Sequence, residues 1–253
     1  MPSIGFFALL GILTLRYLIF ACGAYLIVCV WKRDALASRR IQDREPLREV
    51  VRREFYWSMV TTVVFAFGGR VLFLMKERGH TLIYENISDY GWTYFFLSVP
   101  LLMFLHDTYF YWTHRLMHHK WIFKWVHRVH HDSRVPSPLA AFSFDPVEAV
   151  VEATILPVLA MVMPIHPVAF LIFLMVMTVL GVVNHTGYEL YFRGFGEHPI
   201  GKWIISATHH DHHHRHYQQN LGLYFTWWDR LMKTQAPEHR LKKTSSIPMK
   251  RAA

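Results

Sequence analysis

The chain has 253 residues, of which 53% are hydrophobic and 16% aromatic, while charged residues fall to 18%, against roughly 25% in a typical soluble domain. That balance argues against an ordinary soluble globular chain and for a membrane protein. The net charge of +9 does not imply nucleic acid: no such motif occurs, and the basic residues lie between and after the apolar runs, as in loops facing anionic lipid headgroups.

Apolar stretches run over about 5 to 31, 56 to 75, 92 to 113, 147 to 163 and 167 to 183. A bilayer core needs roughly 20 apolar residues in a helix, so the first three read as spans. The last two are shorter and separated by Pro164, His166 and Pro167. They read as a helical hairpin that crosses fully or enters and returns, and Pro157 is expected to kink its first arm. The expected fold is an all-α integral membrane protein with about four transmembrane helices, or three plus the hairpin, and a cytoplasmic helical cap. Without repeats or low-complexity linkers, it reads as one membrane-embedded domain over 1–253, with a core at about 92–235 and a flexible tail after about Gln235.

The first stretch lacks the basic start of a signal peptide and is too long for its apolar core, so it is expected to stay on the mature protein. Ile19-Phe20-Ala21-Cys22 loosely resembles a lipoprotein cleavage site, against which Arg16 within the run counts. Cys22 and Cys29 sit seven residues apart in the same run and read as packing residues. Lys32, Arg33, Arg39, Arg40, Arg44, Arg48, Arg52 and Arg53 crowd the segment after it, which assigns that segment to the cytoplasm. The loop at about 76 to 91, with the sequon Asn86-Ile87-Ser88, is then outside. Counting crossings, 114 to 146 and 184 to 253 share one aqueous face.

Those two segments hold most of the histidines. Of 18 in the chain, seven fall between 106 and 131 and six between 209 and 216. His114 and His118 are four apart; His127, His130 and His131 form HxxHH, as do His210, His213 and His214; His185 follows the last apolar stretch. On a helix, positions i, i+3 and i+4 share a face, so each group can aim several imidazoles at one point. Nine neutral imidazoles exceed the four ligands of one zinc and suit two ions with positions left open, although imidazole alone does not name the metal. Clustered without a cation, they would be desolvated to no purpose. His80, His166, His198 and His239 read as structural, His119, His209, His212 and His216 as surface or outer groups, and His106 as a packing or outer group.

His106-Asp-Thr-Tyr-Phe-Tyr-Trp-Thr-His-Arg-Leu-Met-His-His and Phe123-Lys-Trp-Val-His-Arg-Val-His-His closely resemble the first two histidine boxes of the sterol desaturase and fatty acid hydroxylase superfamily. Asn184-His-Thr-Gly-Tyr-Glu, His209-His-Asp-His-His-His and the run from Asn220 to Thr234 are similar to its remaining elements. Pro136-Ser-Pro, Ala141-Phe-Ser-Phe and Pro146-Val-Glu-Ala look most like the sterol C5-desaturase branch, while Asp145 and Leu221 depart from its usual histidine and tyrosine.

The resemblance implies an O2-dependent enzyme with two iron ions, ligated by His114, His118, His127, His130, His131, His185, His210, His213 and His214, that desaturates or hydroxylates a lipid, with a sterol as the first expectation. Hydroxylation of fatty acyl, ornithine or alkylglycerol lipids is the alternative, and a zinc-binding or zinc-transporting membrane protein a more distant one. Asp107, Asp211, Asp229 and Glu189 are the carboxylates expected to accept the second ring N–H of ligating histidines. No Rossmann fingerprint, haem motif or iron–sulfur pattern is present, so electrons are expected from a carrier such as cytochrome b5 or a ferredoxin, for which Arg115, Lys120, Lys124 and Arg128 could form a dock. The expected location is the endoplasmic reticulum in a eukaryote, to whose retrieval signals Lys250-Arg251-Ala252-Ala253 is loosely similar, or a bacterial inner membrane, with the site on the cytoplasmic side.

Overall fold

Each apolar stretch forms a helix in the computed structural model, which describes residues 4–237; His239 and the Lys250-Arg251 terminus lie outside these. In chain order, α1 (Phe6–Trp31) runs as an α-helix to Tyr17 and then widens into π-type turns. It is followed by α2 (Arg48–Glu77), α3 (Gly91–Met117), two single turns α4 (Phe123–Val126) and α5 (Arg128–His131), and a tight turn over Pro138–Phe142. The hairpin is α6 (Pro146–Val162) and α7 (Pro167–Asn184), and the chain closes with α8 (Ala207–His216) and α9 (Trp227–Leu231). No strand occurs among the described residues.

The hairpin arms start where side chains cap them. Asp145 Oδ1 accepts the Val147 N–H at 2.9 Å with Pro146 next in line, and His166 Nδ1 accepts that of Val168 at 3.2 Å before Pro167. An oxygen or nitrogen cap followed by proline is a strong helix start. Asp145, which departs from the family pattern, thus has a structural purpose. Helix α6 continues through Pro157 to Val162. The start of α2 lies eight residues before the apolar run because its first turns are charged yet packed: Glu54 is fully buried and bonded to the Ser137 hydroxyl.

Among the described residues, α1, α2 and α7 are long and apolar enough to cross a bilayer. Helix α3 has 27 residues, about 40 Å at 1.5 Å per residue, but its last turns carry the polar groups of the site. Large apolar side chains such as Phe7, Leu26, Phe67, Phe96 and Leu171 are more than half exposed, an arrangement lipid tolerates and water does not. The chain is an all-α integral membrane protein. Helices α2 and α6 approach closely at Gly68, where a Cβ would lie 3.0 Å from that of Ala153. Both cysteines are free.

Loop contacts sort the two ends. The basic segment meets the chain after α7, since Ile41 N–H donates to Gly187 O and Glu189 N–H to Arg39 O, at 2.9 and 2.8 Å. Gly187 has φ +74°, and a Cβ there would collide with the Gln42 amide. At the opposite end the 78–90 loop bridges the hairpin turn through Ile83 and Ile165. The basic segment therefore shares its end with the histidines.

Candidate metal centre

The first box leaves α3 with His114 inside its last turn and His118 as its C-terminal cap. The second lies on α5 and the residue before it, and the third on α8. Ligand atoms of His114, His118, His127, His131 and His213 lie within 4.8 Å of one another, and so do those of His130, His185, His210 and His214. All nine are buried. The two groups adjoin, with the rings of His131 and His214 at 4.9 Å between centroids.

Each HxxHH motif divides its ligands between the groups instead of aiming them at one point. His127 and His131 join one group and His130 the other; His210 and His214 join the second group and His213 the first. Positions i and i+4 nearly eclipse on a helix, whereas i+3 and i+4 are separated by about 100°. One helix face thus serves two centres side by side.

Hydrogen bonds fix the protonation of the rings. Carbonyl and carboxylate oxygens accept, so the Nδ1 of each bonded ring holds the proton: His114 donates to Leu221 O at 2.8 Å, His213 to Gln219 O at 2.9 Å, His185 to Gly181 O at 2.7 Å and His127 to Glu148 Oε1 at 2.6 Å. Burial, with neighbouring histidines adding to it, pushes His118, His127, His130, His131, His210, His213 and His214 well below the usual imidazole range. His185 falls to about 4, through burial. Neutral rings protonated on Nδ1 present bare lone pairs on Nε2. Yet the Nε2 atoms of His114 and His127 lie 2.9 Å apart, and His118 Nε2 is 3.2 Å from those of both His114 and His213. The Nε2 lone pairs of His114 and His127, whose Nδ1 protons are committed to Leu221 O and Glu148, do not approach so closely without a cation between them. An ion about 2.1 Å from each nitrogen sets right-angled ligands about 3.0 Å apart, so the donor set fits a metal.

None of the four carboxylates expected to accept a ring N–H does so. Asp107 Oδ1 takes the backbone N–H groups of Leu223, Tyr224 and Phe225, at 3.1, 2.7 and 3.4 Å. Asp229 takes those of Leu221 and Gly222, at 2.8 and 2.9 Å. Together they bind five consecutive amides, and the Leu221 carbonyl of that loop receives the His114 proton. Asp211 pairs with Arg215 at 2.9 Å, and Glu189 accepts the N–H and hydroxyl of Thr208 at the start of α8. The physical reason is that backbone amides of the closing loop claim Asp107 and Asp229, the start of α8 claims Glu189, and the Arg215 guanidinium one turn away claims Asp211. The carboxylate that does reach a ligand candidate is Glu148, whose signal was its place in the first turn of α6, within Pro146-Val-Glu-Ala.

Several of the other described histidines hold structure. His106 Nδ1 bonds the Tyr224 hydroxyl at 3.2 Å; His209 Nδ1 accepts from Ser206 as part of a capping box. His212 Nε2 meets Gln219 Oε1 at 2.9 Å, His216 donates to the His212 carbonyl, and His198 accepts from Ile200.

Two adjoining, buried, all-histidine groups at one end of a helical membrane bundle define a membrane metalloprotein. The fatty acid hydroxylase family model matches residues 99–234, more than half of the sequence, and the chain belongs to that family. It is 34% identical over 157 residues to a Delta(7)-sterol 5(6)-desaturase of Gibberella zeae, covering 62% of this chain and 47% of that protein. It is 29% identical over 218 residues to lathosterol oxidase of Mus musculus, covering 85% and 69%, and 30% identical over 190 residues to that of Rattus norvegicus, covering 73% and 61%. The chain thus spans about half to two thirds of the length of these curated relatives. No solved structure matches.

Proposed function

We propose that this chain is a membrane-bound, O2-dependent lipid oxidase with two irons, and that its substrate is a sterol from which it removes two vicinal hydrogens. The observation that carries the reading is the close approach of bare Nε2 atoms in two adjoining groups, supported by family membership and by relatives named for sterol 5(6)-desaturation. His114, His118, His127, His131 and His213 hold one iron, and His130, His185, His210 and His214 the other. When bound, the irons supply the activation of O2 that attack on an unactivated C–H bond requires. The balance is one O2, two electrons and two protons consumed, with one C=C bond and two waters formed; a hydroxylase would give one C–OH and one water from the same inputs.

The chain's own residues set the conditions. Burial keeps the imidazoles neutral, Glu148 fixes the tautomer and plane of His127, and the carbonyls of Leu221, Gln219 and Gly181 do the same for His114, His213 and His185. Beneath them the apolar cavity side chains Phe110 and Phe144 pack on His114 and His130, at 4.8 and 5.3 Å between ring centroids, and keep water from the C–H to be oxidised. The sequence carries no Rossmann fingerprint, haem motif or iron–sulfur pattern, so the electrons come from an acidic one-electron carrier that docks at the basic end, where Lys120 and Lys124 are exposed. That end, which carries the segment around Arg39, faces the cytoplasm.

The test is the purified chain loaded with ferrous iron in nanodiscs, supplied with a Δ7-sterol, O2 and an electron carrier. About two irons per chain and a product two mass units lighter are expected; a product sixteen units heavier moves the chain to the hydroxylases. Zinc retention with no O2 uptake under any lipid would overturn the reading.

A further inference from the structure

Against the histidines lies a cavity of about 200 Å³ with an almost wholly apolar wall. It is separated from the metal centre by its lining residues Phe110 and Phe144, which pack on His114 and His130, and Gly181, whose carbonyl takes the His185 proton. Three ionisable side chains interrupt the apolar wall: His106 from α3, which bonds the Tyr224 hydroxyl, Arg16 from α1 and Glu152 from α6. Arg16 Nε and Glu152 Oε1 are both buried without a hydrogen-bond partner, and neither side chain forms an ion pair among the described residues. The guanidinium lies instead over the ring of Phe142, 5.5 Å from its centroid.

Arg16 does not behave as a headgroup anchor. It sits about 15 Å from the start of α1 at 1.5 Å per residue, and the rest of the helix to Trp31, largely in π-type turns, separates it from the other end, beyond the reach of an arginine side chain to either surface. An unpaired guanidinium at that depth, facing a cavity, marks a place where a polar ligand is met. Its planar fork of donors suits an oxygen acceptor, whether a hydroxyl or, with two parallel bonds, a carboxylate. Phe142 holds the fork while the cavity beyond it stays apolar.

We infer that Arg16 recognises the polar oxygen of the lipid, and that the lipid's hydrocarbon body lies along the cavity past Phe142 and Phe144 to the histidines. The inference rests on the lipid-oxidase reading and adds its specificity-determining residue, which lies outside the segment shared with the family model. Arg16 is a binding residue and takes no part in the C–H step.

The experiment is equilibrium binding of radiolabelled lipids to the full chain in nanodiscs, with iron content measured in parallel. The probes are a 3-hydroxy Δ7-sterol with its 3-deoxy analogue, and stearic acid with octadecane. Wild type is expected to bind one oxygenated probe at least about tenfold more tightly than its deoxy partner, and the pair that discriminates names the source of the oxygen. Arg16→Met should erase that difference while leaving deoxy-probe affinity and iron content unchanged. Discrimination preserved in Arg16→Met, or absent in wild type, overturns the inference. If Arg16→Met does not fold, Arg16→Lys serves, since it keeps charge but loses the fork: reduced discrimination supports the assignment and undiminished discrimination ends it. Arg16-dependent binding by a chain that neither holds iron nor oxidises lipid would keep this assignment and sink the enzymatic one.

Discussion

Glu148 accepts the His127 Nδ1 proton at 2.6 Å from a wholly buried position, and this single bond does two things for a ligand candidate. It leaves Nε2 as the free lone pair, and it makes that lone pair more basic, because the carboxylate draws the Nδ1 proton toward itself. Such partners are worth about 10–100-fold in metal affinity. Glu148→Ala should therefore lower iron retention by about that factor, measured as the iron remaining after dialysis against graded chelator. Glu148→Gln should lose less, because its amide oxygen still accepts. Equal retention in wild type and Glu148→Ala would show that the bond does not tune the site. At this scale the nine histidines were legible in the sequence, because clustering and i, i+4 spacing survive without coordinates. Glu148 was not singled out, since its partner lies 21 residues away and no local pattern links them. Arg16 read only as a charge interrupting an apolar run, because the meaning of such a charge depends on what surrounds it in space.

The element that most depends on tertiary context is the closing loop at 221–225. It has no regular structure, and its five successive N–H groups point at two carboxylates, one from α3 and one from α9. Gly222 makes this possible: a Cβ there would collide with the Phe225 carbonyl and lie 3.1 Å from Asp229 Oδ2. Asn220, at φ 56°, starts the loop in the left-handed region, which asparagine tolerates better than most residues. Its side chain ties the His209 carbonyl on α8 to the Ala236 amide, at 3.0 and 2.9 Å. The sequence showed Asp107 and Asp229 as motif residues and suggested imidazole partners, because motif position tells that a carboxylate matters without telling which donors reach it. Removing Asp229 strands two backbone amides and the Thr234 hydroxyl, so Asp229→Ala should cost about 2–4 kcal/mol. Since Leu221 carries the acceptor for His114, the five-histidine group should lose metal before the four-histidine group. Thermal unfolding together with metal stoichiometry during chelation checks both effects; a lowered midpoint with both groups losing metal in step would reduce Asp229 to a stability residue alone.

For the molecule as a whole, the histidines are where otherwise separate parts of the chain meet. Helix α3 brings two ligand candidates, the α4–α5 segment three, the end of α7 one and α8 three. The bundle of apolar helices was visible from hydropathy, and the grouping of ends from loop charge and crossing number, because both depend on composition summed over long stretches. The division into a five- and a four-histidine group was not visible, because it depends on the relative rotation of α5 and α8. With metal bound, these elements are linked by several coordinate bonds. Without it, ring nitrogens are held 2.9–3.2 Å apart in a buried space, and the facing Nε2 lone pairs of His114 and His127 favour opening there over protonation that burial opposes. Ligand-linked stabilisation grows as RT ln(1 + [L]/Kd) and reaches about 4 kcal/mol at a thousandfold excess over Kd. Stripping the metal should therefore lower the unfolding midpoint by several degrees and should make the 118–145 and 185–237 segments cleavable by protease added to the histidine-bearing face, while α1, α2 and α7 stay protected by lipid. Readdition of ferrous iron should restore both properties. An apo chain with an unchanged midpoint and unchanged protease resistance would mean that apolar packing alone holds the histidines together.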